Sequence, residues 1–213
     1  MSAPPEALRE HRLTTPLSEA DVRGLRAGDL VTLDGEITIT AGLPTHARIA
    51  EYLDAGRPLP VDFRGGTLFH LGSYSRDTPH GFEVLYMNPT TSTRFNPIMP
   101  RFIRELGVRA VGGKGGLDAA SAAAMKEAGC VYLSFLGGGA TLLSDAIEAV
   151  VAVHWDDLIS HYRLVTLRVR GLGPLTVGID ANGGSLYDGL QDAARARMPE
   201  IMAGLREARA HQG

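Results

Sequence analysis

Val108-Arg109-Ala110-Val111-Gly112-Gly113-Lys114-Gly115-Gly116-Leu117 decides the fold: a short apolar run, a glycine-rich turn around one lysine, and the opening of an Ala-rich segment. A run of that length suits a buried strand, and glycines on both sides of a single side chain suit a tight turn into a helix. The pattern repeats downstream, with a helix over 117–128, a strand from Cys130 to Phe135, the turn Leu136-Gly137-Gly138-Gly139-Ala140, a helix to Val150 and a strand from Val151 to His154. Upstream stands a helix over 93–106, interrupted by Pro97 and Pro100. Strand-helix alternation at this spacing predicts right-handed βαβ units around a mainly parallel sheet, hence an α/β fold with a βα-repeat second part.

Working outward, the first part reads as β-rich. Ser18 with Asp21 forms a capping box that opens a short helix over 18–25. Asp34-Gly35, between Asp29–Leu33 and Glu36–Thr40, is a hairpin signal. Pro44, Ile49 and Leu53 predict a helix stopped by Gly56. Strands over 67–71 and 82–87 bracket a polar loop holding Ser73, Ser75, Arg76 and Asp77, which reads as a lid or a substrate-facing segment. Strands over 163–169 and 175–180 flank Gly171-Leu172-Gly173-Pro174 and read as a second hairpin, and Tyr187 to His211 reads as a helix broken near Pro199. Residues 1–17 are assigned to an N-terminal arm and 18–213 to a single domain with a C-terminal helical tail.

Composition narrows the function classes. The 213 residues are 44% hydrophobic and 21% charged, with Lys+Arg 21 against Asp+Glu 24, and no basic stripe suits nucleic acid or a lipid surface. One cysteine, Cys130, makes no intrachain disulfide and cannot by itself hold zinc or an iron-sulfur cluster. His70, His80, His154 and His161 lack metal-ligand spacing, so no metal site is expected in this chain. With no signal peptide or membrane segment legible, a cytoplasmic location is expected.

Chemistry concentrates at two strand-to-helix turns. In Asn88-Pro89-Thr90-Thr91-Ser92-Thr93-Arg94, four hydroxyl residues in a row precede an arginine; one would cap a helix, and the surplus with Arg94 describes a carboxylate or phosphate site. Gly112 to Gly116 is no Walker A loop, since Gly115 follows Lys114, yet Gly113 and Gly115 let backbone approach a ligand beside the ammonium. Both turns belong to the carboxyl edge of the predicted sheet, where ligands of α/β folds bind. His46 and Arg48, near the start of the first long helix, read first as solvated side chains, with ligand contacts as the lesser alternative.

Together these segments resemble the β-type chain, or C-terminal domain, of the iron-sulfur-dependent fumarate and tartrate hydro-lyases, the class I fumarase family. The resemblance rests on Leu25-Arg26-Ala27-Gly28-Asp29-Leu30-Val31 with Asp34-Gly35-Glu36-Ile37, Thr45-His46-Ala47-Arg48, the 88–94 and 113–116 turns, Gly129-Cys130-Val131-Tyr132-Leu133 and Trp155-Asp156-Asp157-Leu158. Gly173-Pro174-Leu175 and Ile179-Asp180 with Gly184-Ser185-Leu186-Tyr187 complete it, so it runs from about Ser18 to Tyr187.

The resemblance implies a three-layer, swivelling β/β/α domain acting as the β subunit of a heteromeric hydro-lyase. An α-type partner, in a heterodimer or α2β2 assembly, would carry a [4Fe-4S] cluster, and water would be added to or removed from a small 2-hydroxy acid. It implies catalytic roles for Thr90, Lys114 and Arg94, and substrate contacts from Thr91, Ser92, His46, Arg48, Gly113 and Gly115. Thr90 would be the base and Arg94 a carboxylate clamp. Where the family carries Arg-Asp-Ala-Ala-His this chain reads Gly42-Leu43-Pro44-Thr45-His46, which predicts a roomier, less positive distal pocket unless Arg76 or Arg48 replaces the clamp. The competing function is a stand-alone carboxylate-binding module without catalysis.

Overall fold

The computed structural model describes residues 8–210. Residues 1–7 of the predicted arm and 211–213, including His211 at the end of the predicted C-terminal helix, lie outside the described residues. In chain order the elements are β1 (Glu10–Thr14), α1 (Glu19–Arg23), β2 (Leu30–Ile39), α2 (Leu43–Asp54), β3 (Thr67–Phe69), β4 (Leu71–Thr78), β5 (Gly81–Pro89), α3 (Met99–Leu106), β6 (Ala110–Gly113), α4 (Ala119–Ala128), β7 (Val131–Ser134), α5 (Ala140–Ser144), β8 (Ile147–His154), β9 (Leu164–Ile179) and α6 (Leu186–Ala210).

The sheet order is β1-β2-β3-β6-β7-β9-β8, and β9 also pairs with β2, so β2, β3, β6, β7 and β9 close into a barrel. The predicted parallel character holds for β1 with β2, β2 with β3, β3 with β6 and β6 with β7. It fails for β9, which runs antiparallel to β2, β7 and β8, so the sheet is mixed. Alternating residues divide two cores: Phe69, Ala110, Val131 and Leu133 fall in one, Leu68, Val111 and Tyr132 in the other with Phe95, Phe102 and Ile103 from the segment around α3. That alternation is what two-sided burial of short central strands requires.

Both predicted hairpins are corrected. Asp34-Gly35 lies inside β2 and Gly171 to Pro174 inside β9, each strand continuing past its turn signal. The two signals face each other: Asp34 Oδ1 accepts from the Gly171 amide at 2.7 Å, and the β2–β9 register shifts around Leu33 and Gly35. Gly35 at φ +99° and Gly171 at φ +68° take up the extra residues as bulges rather than chain reversals. The polar stretch Ser73 to Asp77 is likewise no open lid but part of β4, paired with β5, and Arg76 bonds Glu83 across it. The reversal comes later, at Gly81 with φ +118°.

Three further boundaries differ. Residues 10–14 of the arm form β1, pinned by Arg12 on Asp34 and by Arg9 and His11 on Asp29. The helix expected to run to Val150 stops at Ser144, because the β-branched run after it extends along β9 as β8. Pro199 sits inside α6 rather than breaking it, on an exposed stretch where the carbonyl it leaves unpaired is open to solvent. No helix among the described residues is long and apolar enough to cross a membrane.

Candidate functional site

The ends of β3, β6 and β7 meet at one edge of the barrel. His70, just after β3, donates its amide to Gly112 O at 2.7 Å, and its carbonyl accepts the Thr90 amide at 2.8 Å. Thr90 O accepts from the Lys114 amide at 3.1 Å, and Lys114 O from Ser92 at 2.8 Å, so the 88–94 and 112–116 turns are sewn together as a parallel bridge of Thr91 with Lys114. The Phe135 amide adds the third strand end through Gly113 O at 2.8 Å. Two turns 20 residues apart thus become one surface.

Gly113 is required by closeness. A Cβ there would lie 2.3 Å from Ser92 Oγ and 3.1 Å from Thr90 O, so no other residue lets the turns meet. Gly116, at φ +76°, holds its backbone against the Tyr187 ring, where a Cβ would approach to 2.6 Å. Gly115 meets only Thr91 Cγ2, at 3.5 Å.

The hydroxyl run does not open an α-helix. Ser92–Phe95 form a single 3-10 turn whose leading residue, Thr91, makes no side-chain cap bond, and α3 begins only at Met99. Pro97 and Pro100 explain the delay, since each lacks the amide that a continuing helix needs. Without a long helix behind it, the turn has little macrodipole, and positive charge at this edge comes from Lys114 and Arg94.

Both cations are exposed, and neither side chain has a hydrogen bond or ion pair among the described residues. This separates Arg94 from its neighbours: from residue 8 to 185 every other arginine is engaged by a carboxylate, a carbonyl or an aromatic face. The aliphatic part of Lys114 runs beside Gly137 of the third turn. Thr90 and Thr91 are half-buried between the two cations' turns, and the Thr90 hydroxyl has no partner among the described residues.

Thr90, Thr91, Lys114, Gly113 and Gly115 therefore come together with Arg94 one step along the turn, and the other predicted contacts do not join them at the surface. Ser92 is fully buried, receiving a hydrogen bond from Tyr132 Oη and meeting His70 Nδ1, both at 2.8 Å. His46 is buried, stacked on Phe95 with its Nδ1 donating to Gly42 O at 2.7 Å. Burial pushes its pKa down to about 4 and His70 well below the usual value, so both rings are neutral near pH 7. Arg48 is held by both carboxylate oxygens of Asp157 at 2.7 Å and lies over Trp155.

At Gly42 the predicted roominess is absent. A Cβ would lie 2.8 Å from Tyr162 Cβ and 2.7 Å from Thr45 Oγ1, so Tyr162 fills the space a longer side chain would need. His70 escaped notice in the sequence, where it lacks metal-ligand spacing, and Tyr132 and Tyr187 stood there only within matching stretches. Cys130 is buried, its thiol pushed up to about 12, and among the described residues no three His, Cys, Asp or Glu side chains are grouped to hold a metal ion.

Residues 3–190 match the family described as Fumarase C-terminus. The chain belongs to that family. Among its relatives is the L(+)-tartrate dehydratase subunit beta of Escherichia coli K12, 33% identical over 174 residues, 82% of this chain and 85% of the relative. A putative L(+)-tartrate dehydratase subunit beta of Methanocaldococcus jannaschii is 31% identical over 187 residues, 87% of this chain and 95% of its own length. A putative class I fumarate hydratase of Geobacillus stearothermophilus is 32% identical over 190 residues, 89% of this chain but 36% of that longer protein. The relatives thus include chains of similar length and one longer protein of which this chain covers 36%, and the family match ends near the start of α6.

Proposed function

We propose that this chain is the β subunit of a hydro-lyase that adds or removes water at a 2-hydroxy acid, its barrel acting as the swivelling β/β/α domain against an α-type partner. The observation that carries the reading is the pair of unengaged cations, Arg94 and Lys114, on turns joined by the Thr91–Lys114 bridge beside a free Thr90 hydroxyl. An anionic substrate is what such a surface binds best, and the Escherichia coli relative named above is an L(+)-tartrate dehydratase subunit beta.

In this reading Arg94 clamps a carboxylate with two parallel N–H bonds and Lys114 contributes a point charge at the other side of the turn. Dehydration takes a proton from one carbon and releases hydroxide from its neighbour as the double bond forms. Thr90 Oγ first gives its own proton to solvent, the resulting alkoxide takes the carbon-bound proton and returns to the neutral hydroxyl, and hydroxide leaves on the partner's side. A threonine hydroxyl is a very weak acid, so the work of Lys114 and Arg94 includes stabilising the Thr90 alkoxide before it takes the proton. Thr91, Gly113 and Gly115 shape the approach.

The [4Fe-4S] cluster that the family resemblance implies does not fit this chain: Cys130 is buried with its thiol held protonated, and its neighbours include no further thiols. The partner subunit holds it in this proposal. The second carboxylate of a C4 dicarboxylate has no evident clamp here either, since Arg48 is held by Asp157 and Arg76 by Glu83. The substrate is therefore a 2-hydroxy acid whose distal end is bound by the partner or is not a carboxylate.

Co-expression with an α-type subunit tests the reading. A coloured two-subunit complex that dehydrates hydroxy acids, with this chain alone inactive after iron-sulfur reconstitution, is the expected outcome. A chain that binds carboxylates but never supports turnover in the complex would instead make it a binding module.

A further inference from the structure

We propose that His46 and His70 are neutral histidines of opposite tautomer joined through one buried water, and that His70 is the positioning residue that holds the Thr90 turn against Lys114. The proposal rests on the reading of Thr90 and Lys114 as the reacting site.

The tautomers follow from donors and acceptors. His46 Nδ1 lies 2.7 Å from Gly42 O, which accepts only, so Nδ1 carries the proton and Nε2 is a bare lone pair. Tyr132 Oη donates to Ser92 Oγ at 2.8 Å. Ser92 then has its own proton to give, and the acceptor at 2.8 Å is His70 Nδ1. His70 is thereby protonated on Nε2. The fully buried side-chain nitrogens left without a partner among the described residues are His46 Nε2, an acceptor, and His70 Nε2, a donor.

Those two atoms belong to rings whose centroids are 5.3 Å apart and tilted by 48°, with Phe95 stacked at 4.0 Å from His46 and 4.3 Å from His70. The aromatic faces offer them nothing polar. A stranded donor and a stranded acceptor on adjacent buried rings are the setting in which buried water is retained, because one molecule between them satisfies both. The resulting wire runs from Gly42 O through His46, water, His70 and Ser92 to Tyr132, and it ties α2, the strand end at His70, the 88–94 turn and β7 together.

Its bearing on the site comes through His70. The ring anchors Ser92 from beneath while the carbonyl of the same residue accepts the Thr90 amide at 2.8 Å. One residue thus holds two points of the turn that faces Lys114. Gly113 leaves Ser92 no alternative seat, since the atoms are already close enough to exclude a Cβ.

The test begins with long-range proton-nitrogen NMR on the full chain with labelled histidine, assigned through His46→Asn and His70→Asn. The expected spectrum has His46 protonated on Nδ1 and His70 on Nε2, unchanged between about pH 5.5 and 8.5. Matching tautomers, or a ring that titrates in that range, would overturn the pair, and a high-resolution crystal structure with no water peak between the two Nε2 atoms would overturn the bridge. In the two-subunit complex, His70→Gln, whose amide lies one bond further out and leaves no acceptor at the Nδ1 position, should lower kcat about tenfold with KM within about twofold, while His70→Asn, whose Oδ1 replaces Nδ1, should recover most of it. Equal losses in both variants, tracking Tm, would reduce His70 to a packing residue. If Thr90→Ala kept full turnover while the tautomers stood, the site reading would fall and the histidine pair would remain.

Discussion

The turns at 112–116 and 136–140 share a pattern, strand then glycines then helix, and differ in what the glycines are for. At Gly113 a Cβ would collide with Ser92 Oγ at 2.3 Å, and at Gly116 with the Tyr187 ring at 2.6 Å. At Gly138 nothing lies within 4 Å, and at Gly137 the nearest atom is Lys114 Cδ at 3.7 Å. The first turn is glycine because two turns and a tyrosine press against it; the second contains a glycine at φ +82° for backbone freedom alone. Close approach, not flexibility, marks the site.

That contrast yields its largest consequence on substitution. Gly113→Ala should cost about 1–3 kcal/mol through overpacking against Ser92 and Thr90, lower Tm by several degrees and abolish turnover of the two-subunit complex. Gly138→Ala should cost about 1 kcal/mol, the penalty of a left-handed alanine, with kcat within about twofold of wild type. Thermal melts and steady-state kinetics on both proteins check the pair; similar behaviour would break the distinction.

A second effect separates the surface of the first turn from what lies under it. Arg94→Lys should reduce kcat/KM by about tenfold or more, since a point charge does not reproduce a two-pronged clamp, and should leave Tm unchanged. His46→Asn and His70→Asn should instead act on stability and on its pH dependence. A histidine whose folded pKa lies below its unfolded value near 6.5 leaves the unfolded state binding more protons, so stability rises with pH across that window. For His46, with a folded value of about 4, acidification from about pH 6.5 to 5 should remove about 1–2 kcal/mol, and urea melts of His46→Asn should show that slope diminished.

The smallest effect is expected furthest from the contrast. Arg48 and Asp157 form a well-aligned pair on a partly exposed face, with side-chain exposures of 27% and 61%. Arg48→Ala should cost about 1 kcal/mol or less and leave kcat within about threefold. A larger kinetic loss would bring Arg48 into the site.

Much of this architecture was legible before the coordinates. The strand, glycine turn and helix around Lys114 appear as read, as do α2 and the capping box of Ser18 with Asp21, because each is encoded by neighbours in sequence. The barrel was not, since its closure depends on β2 meeting β9, and the Asp34-Gly35 and Gly171 to Pro174 signals are spent on facing bulges. Turn chemistry states that the chain bends, not that it reverses. At the site, Thr90, Arg94 and Lys114 were visible as residue types in a pattern, whereas the buried set of His46, His70, Ser92 and Tyr132 follows no period and emerges only when three strand ends converge. Gly42 shows the opposite error: a missing side chain suggested space, and Tyr162 from a distant segment occupies it.

The most direct test of the site is Lys114→Ala in the co-purified two-subunit complex, assayed for dehydration of 2-hydroxy acids beside its thermal melt. Lys114 is exposed and free of side-chain partners, so its removal should leave Tm within about 1 °C. The account predicts that kcat/KM falls by about a hundredfold or more with the complex intact. A variant that turns over within about twofold of wild type would contradict it.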